Sequence, residues 1–332
     1  MAPGFPVRKG HVMNTRKLLL DMDTGIDDAM AITYALADGS ADLIGVTCCF
    51  GNVTNQTAVR NTLDLLSIMG RPDIPVFYGA EHPLEQDSFR VSDACIRIHG
   101  ANGLGNVSIP HAGEPEKISA PDFILDAARK YGENLILVAT GALTNLAAAI
   151  RKDKETFAKI GKIVFMGGAL TVEGNVTPYA EANIAVDPLA AKEVLESGIP
   201  MTMIGLDVTH KNLLTRTEAA RWSSHGSAGK ALYEIVAHYI DNELEQKSCS
   251  LHDPLAVATA LDETMVETHP FAMTVVTMGE AAGRTIACPF ADQCENKNVS
   301  VALETSPRFV PEFVGKIESF LAAREKEQAD RP

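Results

Sequence analysis

No run of ~18 apolar residues occurs in the chain, so no transmembrane helix is expected. Positive charge is in deficit: 29 Lys and Arg stand against 43 Asp and Glu, a formal net charge of −14. That balance argues against a nucleic-acid or anionic-membrane surface, and it says nothing about fold. The six cysteines (Cys48, Cys49, Cys95, Cys249, Cys288 and Cys294) include no C-x-x-C pair and no zinc spacing. They read as buried, reduced thiols of a cytoplasmic protein. Pro/Ser-rich linkers, low-complexity tracts and fixed-period repeats are also missing, which points to one domain over residues 16–325. The basic opening "MAPGFPVRKGHVMNTRK" lacks the apolar core of a secretory signal. Residues 1–15 therefore read as a disordered arm and 326–332 as a polar tail.

What is present is a repeated alternation. The 332 residues are 46% hydrophobic and 22% charged, enough for a sizeable core. "RKLLLDMD" precedes the helical pattern "DDAMAITYALAD", and "DLIGVTCCFGN" precedes "NQTAVRNTLDLLSIMG". "ENLILVATG" leads into "ALTNLAAAIRKD"; "KIVFMGG" comes before a loop and "DPLAAKEVLESG". Short buried strands alternating with helices predict an α/β fold with a mainly parallel sheet covered on both faces. Residues 215–246 read as a mostly helical excursion, and 280–304 as a small mixed β segment. In open sheets of this kind ligands sit beyond the carboxyl ends of the strands. The polar residues after each apolar run (Asp21 to Asp28, Asn52, Thr140, Asn175 to Asn183, Asp207) are thus the ones expected to converge.

"KLLLDMDTGIDD" puts Asp21, Asp23, Asp27 and Asp28 within eight residues. Asp21 and Asp23 share a side in a strand, and Asp27 and Asp28 fall where a helix dipole favours negative charge. Gly25 permits the tight turn between them. Helix capping accounts for Asp27 and Asp28 but leaves the other two unexplained. Several hard oxygen ligands close together suit Mg²⁺ or Ca²⁺ far better than zinc.

Two further segments add to this. "SLHDPLAVATALD" places His252 and Asp253 before Pro254 at the start of another helix. Paired with the acidic cluster, Asp253 becomes a further metal ligand and His252 a general acid. In "GGALTVEGNVTPYAEANIAVDP" the set Asn175, Glu181 and Asn183 suits a polyhydroxylated ligand, whose hydroxyls both donate and accept.

Together "DMDTGIDDAMAI", "FGNVTNQTAVRN", "VATGALTNLA", "VFMGGALTVEGNVTPYAEANIAVDP" and "HDPLAVA" resemble, in order and spacing, the inosine–uridine-preferring nucleoside hydrolases. The resemblance runs from about Arg16 to about Leu321. It implies a single Rossmann-like domain with one bound Ca²⁺, assembled as a homodimer or homotetramer. It further implies a ribonucleoside substrate cleaved to ribose and free base, with no nucleic-acid or membrane partner. By that resemblance Asp23, Asp28, Asp253 and the Thr140 carbonyl hold the ion, and Asp23 is also the general base for water. Asp27, Asn52, Glu181 and Asn183 grip the ribose hydroxyls, Asn175 reaches the 5′-hydroxyl, and Met166 lies against the sugar. His252 protonates the leaving base; His99, in "RIHGANGLG", approaches the base from a segment resembling the family's flexible active-site loop. Two positions depart from the family pattern: Thr24 replaces a proline, and Ala182 replaces an aromatic residue.

The residues alone also admit other readings. A nucleoside- or ribose-binding protein would retain the metal without turnover, although every ligand and His252 are present here. A phosphatase using a D-x-D strand end would want threonine two places after Asp23, where Gly25 stands, and a phosphate-binding lysine. An EF-hand loop needs a Gly and terminal Glu spacing that the cluster lacks.

Overall fold

The computed structural model describes residues 16–242, 247–288 and 297–329. Its first strand, β1 (Arg16–Met22), is buried continuously from Leu18 to Met22. Leu18, Leu20 and Met22 face one apolar layer and Leu19 the other, so the strand is covered on both sides. Helices α1 (Ile26–Asp38) and α2 (Asn55–Ile68) lie in the first layer, α4 (Ala120–Tyr131) and α5 (Thr144–Phe157) in the second. Between them in sequence comes the short α3 (Asp93–His99).

The strands are β2 (Ala41–Cys48), β3 (Val76–Phe77), β4 (Leu135–Ala139), β5 (Lys162–Met166) and β6 (Met201–Ile204), then β7 (Leu213–Thr215) and β8 (Ser248–Ser250). After them come β9 (Val266–Phe271), β10 (Met273–Val275), β11 (Thr285–Ala287) and β12 (Val299–Thr305). Eight form one sheet in the order β3-β2-β1-β4-β5-β6-β12-β9. Every pairing in it is parallel except β12 with the edge strand β9. Pairs β7/β8 and β10/β11 stand apart as two-stranded sheets.

From β1 the chain builds outward through β2 and β3; from β4 it builds the opposite way through β5 and β6. The carboxyl ends of β1 and β4 are therefore the switch point where a crevice opens. The Thr140 N–H donates to the Asp21 carbonyl at 2.8 Å and holds the two ends together.

The remaining helices are α6 (Ala182–Val186), α7 (Pro188–Leu195), α8 (Leu206–Thr209), α9 (Arg216–Ala220), α10 (Gly226–Asn242), α11 (His252–Leu261) and α12 (Phe309–Ala329). The first apolar layer is closed by α10, α11 and α12, the second by α7. No helix among the described residues is long and apolar enough to cross a membrane.

Three expectations need correcting. The 280–304 stretch is not a separate β segment, because β12 inserts into the main sheet beside β6. Its alternating "VSVALET" carries nothing that tells a central strand from an edge one. Residues 326–329 continue α12, whose Lys- and Glu-rich end has good helix formers on an exposed face. Cys288 is disulfide-bonded; Cys48, Cys49 and Cys249 are buried and outside any disulfide, as expected, whereas Cys95, likewise outside any disulfide, is half-buried. The arm 1–15, Cys294 and residues 330–332 lie outside the described residues.

The ring of Phe313 on α12, fully buried, packs 5.5 Å from Tyr34, 5.9 Å from Phe309 and 6.0 Å from Trp222. Phe313→Ala should cost about 3–5 kcal/mol of unfolding free energy. A urea denaturation midpoint unchanged by the substitution would contradict this packing role.

Candidate functional site

Past the end of β1 the chain turns sharply into α1, and this turn carries the acidic cluster. Gly25 has φ −101°, which other residues also adopt, so its glycine is not a matter of backbone freedom. Space decides instead: a Cβ there would lie 2.6 Å from His99 Nδ1 and 3.0 Å from Asn52 Nδ2. Gly51 is constrained in the same way, since its Cβ would fall 2.0 Å from Asp23 Oδ2.

Asp21 does not face the crevice. Its Oδ1 accepts from Thr47 Oγ1 at 2.6 Å and Asn145 Nδ2 at 2.8 Å, tying β1 to β2 and α5. Burial raises its pKa to about 7. Asp23 accepts from the Asn52 N–H at 2.6 Å and from Asn52 Nδ2 at 3.3 Å. Asp28 accepts from the Gly25 N–H at 2.8 Å and from Thr140 Oγ1 at 2.8 Å, so it both caps α1 and reaches β4.

Asp253, in the first turn of α11, completes the cluster from 225 residues further along the chain. Carboxylate oxygens of Asp27, Asp28 and Asp253 all lie within 4.8 Å of one another. Of the carboxylates expected to hold a cation, Asp28 and Asp253 are thus together, Asp27 joins them, and Asp23 lies outside that triplet. Asp27 Oδ1 and Asp253 Oδ2 are buried without a hydrogen-bond partner. Burial, then the charges of Asp27, Asp28 and Asp23, holds the Asp253 carboxyl well above the usual range. Burial, then Asp28, does the same to Asp23, and burial with Asp27 raises Asp28 to about 6. Orphaned acceptors in a desolvated, oxygen-only donor set fit a hard divalent cation.

Above the carboxylates is a cavity of ≈330 Å³, within the range for a small-molecule site. Asp27, Asn52, Thr140 and Asp253 line its floor. One wall comes from β5 and the loop to α6: Met166, Asn175, Glu181 and Asn183. Asn183 Nδ2 donates to the Thr140 carbonyl at 2.8 Å and the Met166 carbonyl at 3.2 Å, which leaves Oδ1 for a ligand. Glu181 caps α6, accepting from the N–H groups of Asn183, Ile184 and Gly168 at 2.9, 3.2 and 2.9 Å. Asn175 Oδ1 accepts from the Ala182 N–H at 3.0 Å, so Nδ2 is its spare group. Asp207 serves the same wall from behind, accepting from the N–H groups of Leu170 and Thr171 at 2.9 and 2.7 Å.

The opposite wall is imidazole-rich: His99, His210 and His252, with Tyr239 of α10. His252 Nδ1 lies 2.8 Å from Thr209 Oγ1, and its ring meets that of His210 edge-on at 5.6 Å. Burial, then His210 and His99, lowers its pKa to about 3, so it is neutral at pH 7. His99 ends α3 and is buried, with a pKa brought to about 4 by desolvation. Its Nδ1 accepts the Ile26 backbone N–H at 3.2 Å. A backbone N–H only donates, so the ring proton resides on Nε2.

Of the residues singled out from sequence, Asp27, Asn52, His99, Thr140, Met166, Asn175, Glu181, Asn183, His252 and Asp253 line this cavity; Asp28 joins the carboxylate triplet, Asp23 lines an adjoining cavity, Asp207 braces the wall from behind, and Asp21 is turned to Thr47 and Asn145. His210, in "GLDVTH" near the end of β6, reads from sequence as a hydrogen-bonded structural residue, yet it lines the cavity; its place just past a strand end was the signal for it. Cys95 and Ile98 of α3 were not anticipated at all, because a seven-residue helix has too little periodicity to show its inner face. The stretch "HYIDNELEQKSCS" before His252 reads from sequence as a contributor to the base pocket; its Tyr239 lines the cavity, and residues 243–246 lie outside the described residues.

Residues 18–310 match the sequence profile described as inosine-uridine preferring nucleoside hydrolase. The chain is 39% identical over 277 residues to "Probable uridine nucleosidase 2" of Arabidopsis thaliana, covering 82% of this chain and 85% of that protein. It is 38% identical over 250 residues to "Pyrimidine-specific ribonucleoside hydrolase RihA" of Klebsiella pneumoniae, covering 74% and 79% respectively. Among solved structures it resembles a "Purine-Preferring Ribonucleoside Hydrolase from Gardnerella vaginalis", with a TM-score of 0.90 and 44% identity over 93% of this chain and 100% of that one. A "Plant nucleoside hydrolase", at TM-score 0.85 and 34% identity, covers 93% of this chain and 99% of that one. With its parallel sheet and its carboxylates at the switch point, the chain belongs to the inosine–uridine preferring nucleoside hydrolase family.

Proposed function

We propose that this protein hydrolyses the bond between C1′ and the base nitrogen of ribonucleosides, releasing ribose and free base, with Ca²⁺ as cofactor. The observation that carries this reading is the buried Asp27, Asp28 and Asp253 triplet, with two orphaned oxygens, under a cavity walled by amides on one side and imidazoles on the other.

The expected ligand set is Asp23, Asp28, Asp253 and the Thr140 carbonyl, with Asp27 close enough to share in charge neutralisation. A divalent cation held there supplies that neutralisation and lowers the pKa of water. With the cluster neutralised, Asp23 stands as the carboxylate that takes the proton from attacking water. The water oxygen bonds to C1′ as the C1′–N bond breaks, and the electron pair leaves with the base. Oxygens of Asp27, Glu181 and Asn183 around the ribose stabilise an oxocarbenium-like transition state. The departing base nitrogen needs a proton. His252 is our assignment for the donor: neutral at rest, it passes to the base nitrogen a proton taken up from water in the cavity and ends neutral again, and His99 presents Nε2–H on the same wall. Which base is preferred depends on that wall, and relatives with purine and with pyrimidine in their names bracket the chain.

Ribose release from inosine, adenosine, guanosine, uridine and cytidine should vanish on chelation and return with Ca²⁺. Release that survives complete chelation would sink the cofactor assignment. Asp23→Ala should lower kcat by about 10²–10⁴-fold, the usual size of a general-base contribution. His252→Ala should slow natural nucleosides by a similar factor while largely sparing p-nitrophenyl riboside, whose leaving group needs little protonation; equal losses on both would remove its role as acid.

The metal-free protein should also lose stability as pH rises from 6.5 to 8. Asp21 (about 7), Asp23 and Asp253 (well above the usual range) keep protons in the folded chain that the unfolded chain has already lost. Folded protein then binds more protons than unfolded, so stability falls with pH. His99 and His252, lowered to about 4 and 3, oppose this fall while the unfolded imidazoles still titrate near 6.5, and add little slope above ~7.5. Thermal melts with chelator should show this fall and saturating Ca²⁺ should flatten it; melts indifferent to Ca²⁺ would argue against the site.

A further inference from the structure

Beside the first cavity lies a second of ≈200 Å³, several times the ~30 Å³ that one water molecule occupies in the liquid. Asn52, Ser92, Cys95, Val176, Ala182 and Asn183 line both, so the two are arms of one bent cleft. Past this shared wall the chemistry changes. Phe89, Ala185 and Val186 give the second arm an apolar surface. Phe89 and Val186 rest on the buried Cys49, Phe50 and Ala142 cluster, with the Phe89 ring centred 4.8 Å from that of Phe50. No histidine and no tyrosine lines this arm among the described residues. At Ala182 the wall between the arms carries only a methyl group.

We infer that the second arm takes an apolar group attached to C5′ of the ribose, so that 5′-alkylthio and 5′-deoxy ribonucleosides are substrates. This rests on the nucleoside reading of the first cavity. With the ribose diol on the carboxylate floor and the base against the imidazole wall, C5′ is the remaining direction out of the ring. It points to the Asn175, Val176 and Ala182 side, where the second arm opens. The reacting bond is unchanged: water oxygen adds to C1′ and the base leaves with its electron pair and a proton.

An apolar extension suits this lining better than an anionic one: among the described residues its charged groups are the fully buried Asp23 and the exposed Arg90, while Phe89, Ala185 and Val186 supply apolar surface. A thioether against Phe89 is favourable, since sulfur packs well at ring edges. Losing the 5′-hydroxyl costs little, because Asn175 is exposed and water satisfies its Nδ2.

The test uses Ca²⁺-loaded full-length protein and matched substrates carrying whichever base is hydrolysed fastest. The kcat/KM of the 5′-deoxy-5′-methylthio nucleoside should lie within about tenfold of the parent, because burial of the added sulfur and methyl, worth ~4-fold per methylene-sized group, offsets the lost hydroxyl. Val186→Phe, which fills the arm, should lower the ratio of extended to parent kcat/KM by about tenfold or more. Val186→Leu, a smaller fill that the fold accommodates more easily, should lower that ratio by less. A methylthio substrate worse than tenfold, or a ratio that neither variant moves, overturns the inference. So does a nucleoside 5′-monophosphate cleaved as fast as the methylthio compound. Failure on the extended substrate alone leaves the underlying nucleoside reading intact; failure on every parent nucleoside overturns both.

Discussion

Taking carboxylates out of water beside one another is expensive, and the arrangement of this fold follows from how that expense is met. Asp23, Asp28 and Asp253 are at most 1% exposed, and Asp27 is 7% exposed. Each would be ionised in water; burial beside one another raises the pKa of all four. The protein offsets part of the penalty with donors from three directions: the Gly25 N–H at the start of α1, the Asn52 N–H after β2, and the Thr140 hydroxyl after β4. Those donors converge because the order of strands switches direction between β1 and β4, which sets the carboxyl ends of β2, β1 and β4 side by side. The remaining deficit, centred on the orphaned oxygens of Asp27 and Asp253, is what a cation is suited to fill.

The walls of the cavity show how little freedom the side chains have left. Glu181 binds three backbone N–H groups, and Asn183 spends its amide nitrogen on the carbonyls of Thr140 and Met166. Each is fixed by the backbone before a ligand arrives, and each keeps acceptor capacity facing inward. Such fixing is how a site avoids reorganising at the moment of reaction. It also means that helix capping and ligand binding are not competing explanations here, since an oxygen that caps a helix can still face a ligand.

Much of this was legible in the chain. The β1 run, the helix that follows it and the acidic residues between them stand in the first forty residues, and "HDP" marks the helix start that brings Asp253. Parallel topology followed from near-continuous apolar strands such as "LILVA". What escaped was whatever depends on neighbours distant in sequence. Gly25 invites a turn explanation, while the true constraint is an imidazole 74 residues away in the chain. Asp23 and Asp27 are equivalent as letters; only the arrival of Asp253 decides which of them joins the tight triplet. The placement of β12 inside the sheet, and of His210 on the cavity wall, likewise needs the assembled tertiary structure. Local patterning contains no term for either.

The contact between His99 Nδ1 and the Ile26 N–H has a consequence for proton traffic. A histidine that relays protons receives at one ring nitrogen and gives from the other. Here one nitrogen is committed to an amide that has no lone pair to offer and no acidity to share. The ring is therefore a dead end: whatever leaves Nε2 must be replaced at Nε2, through the cavity itself. Were His99 to give up that proton, it would have to be recharged from the cavity side, because the Ile26 N–H cannot relay one.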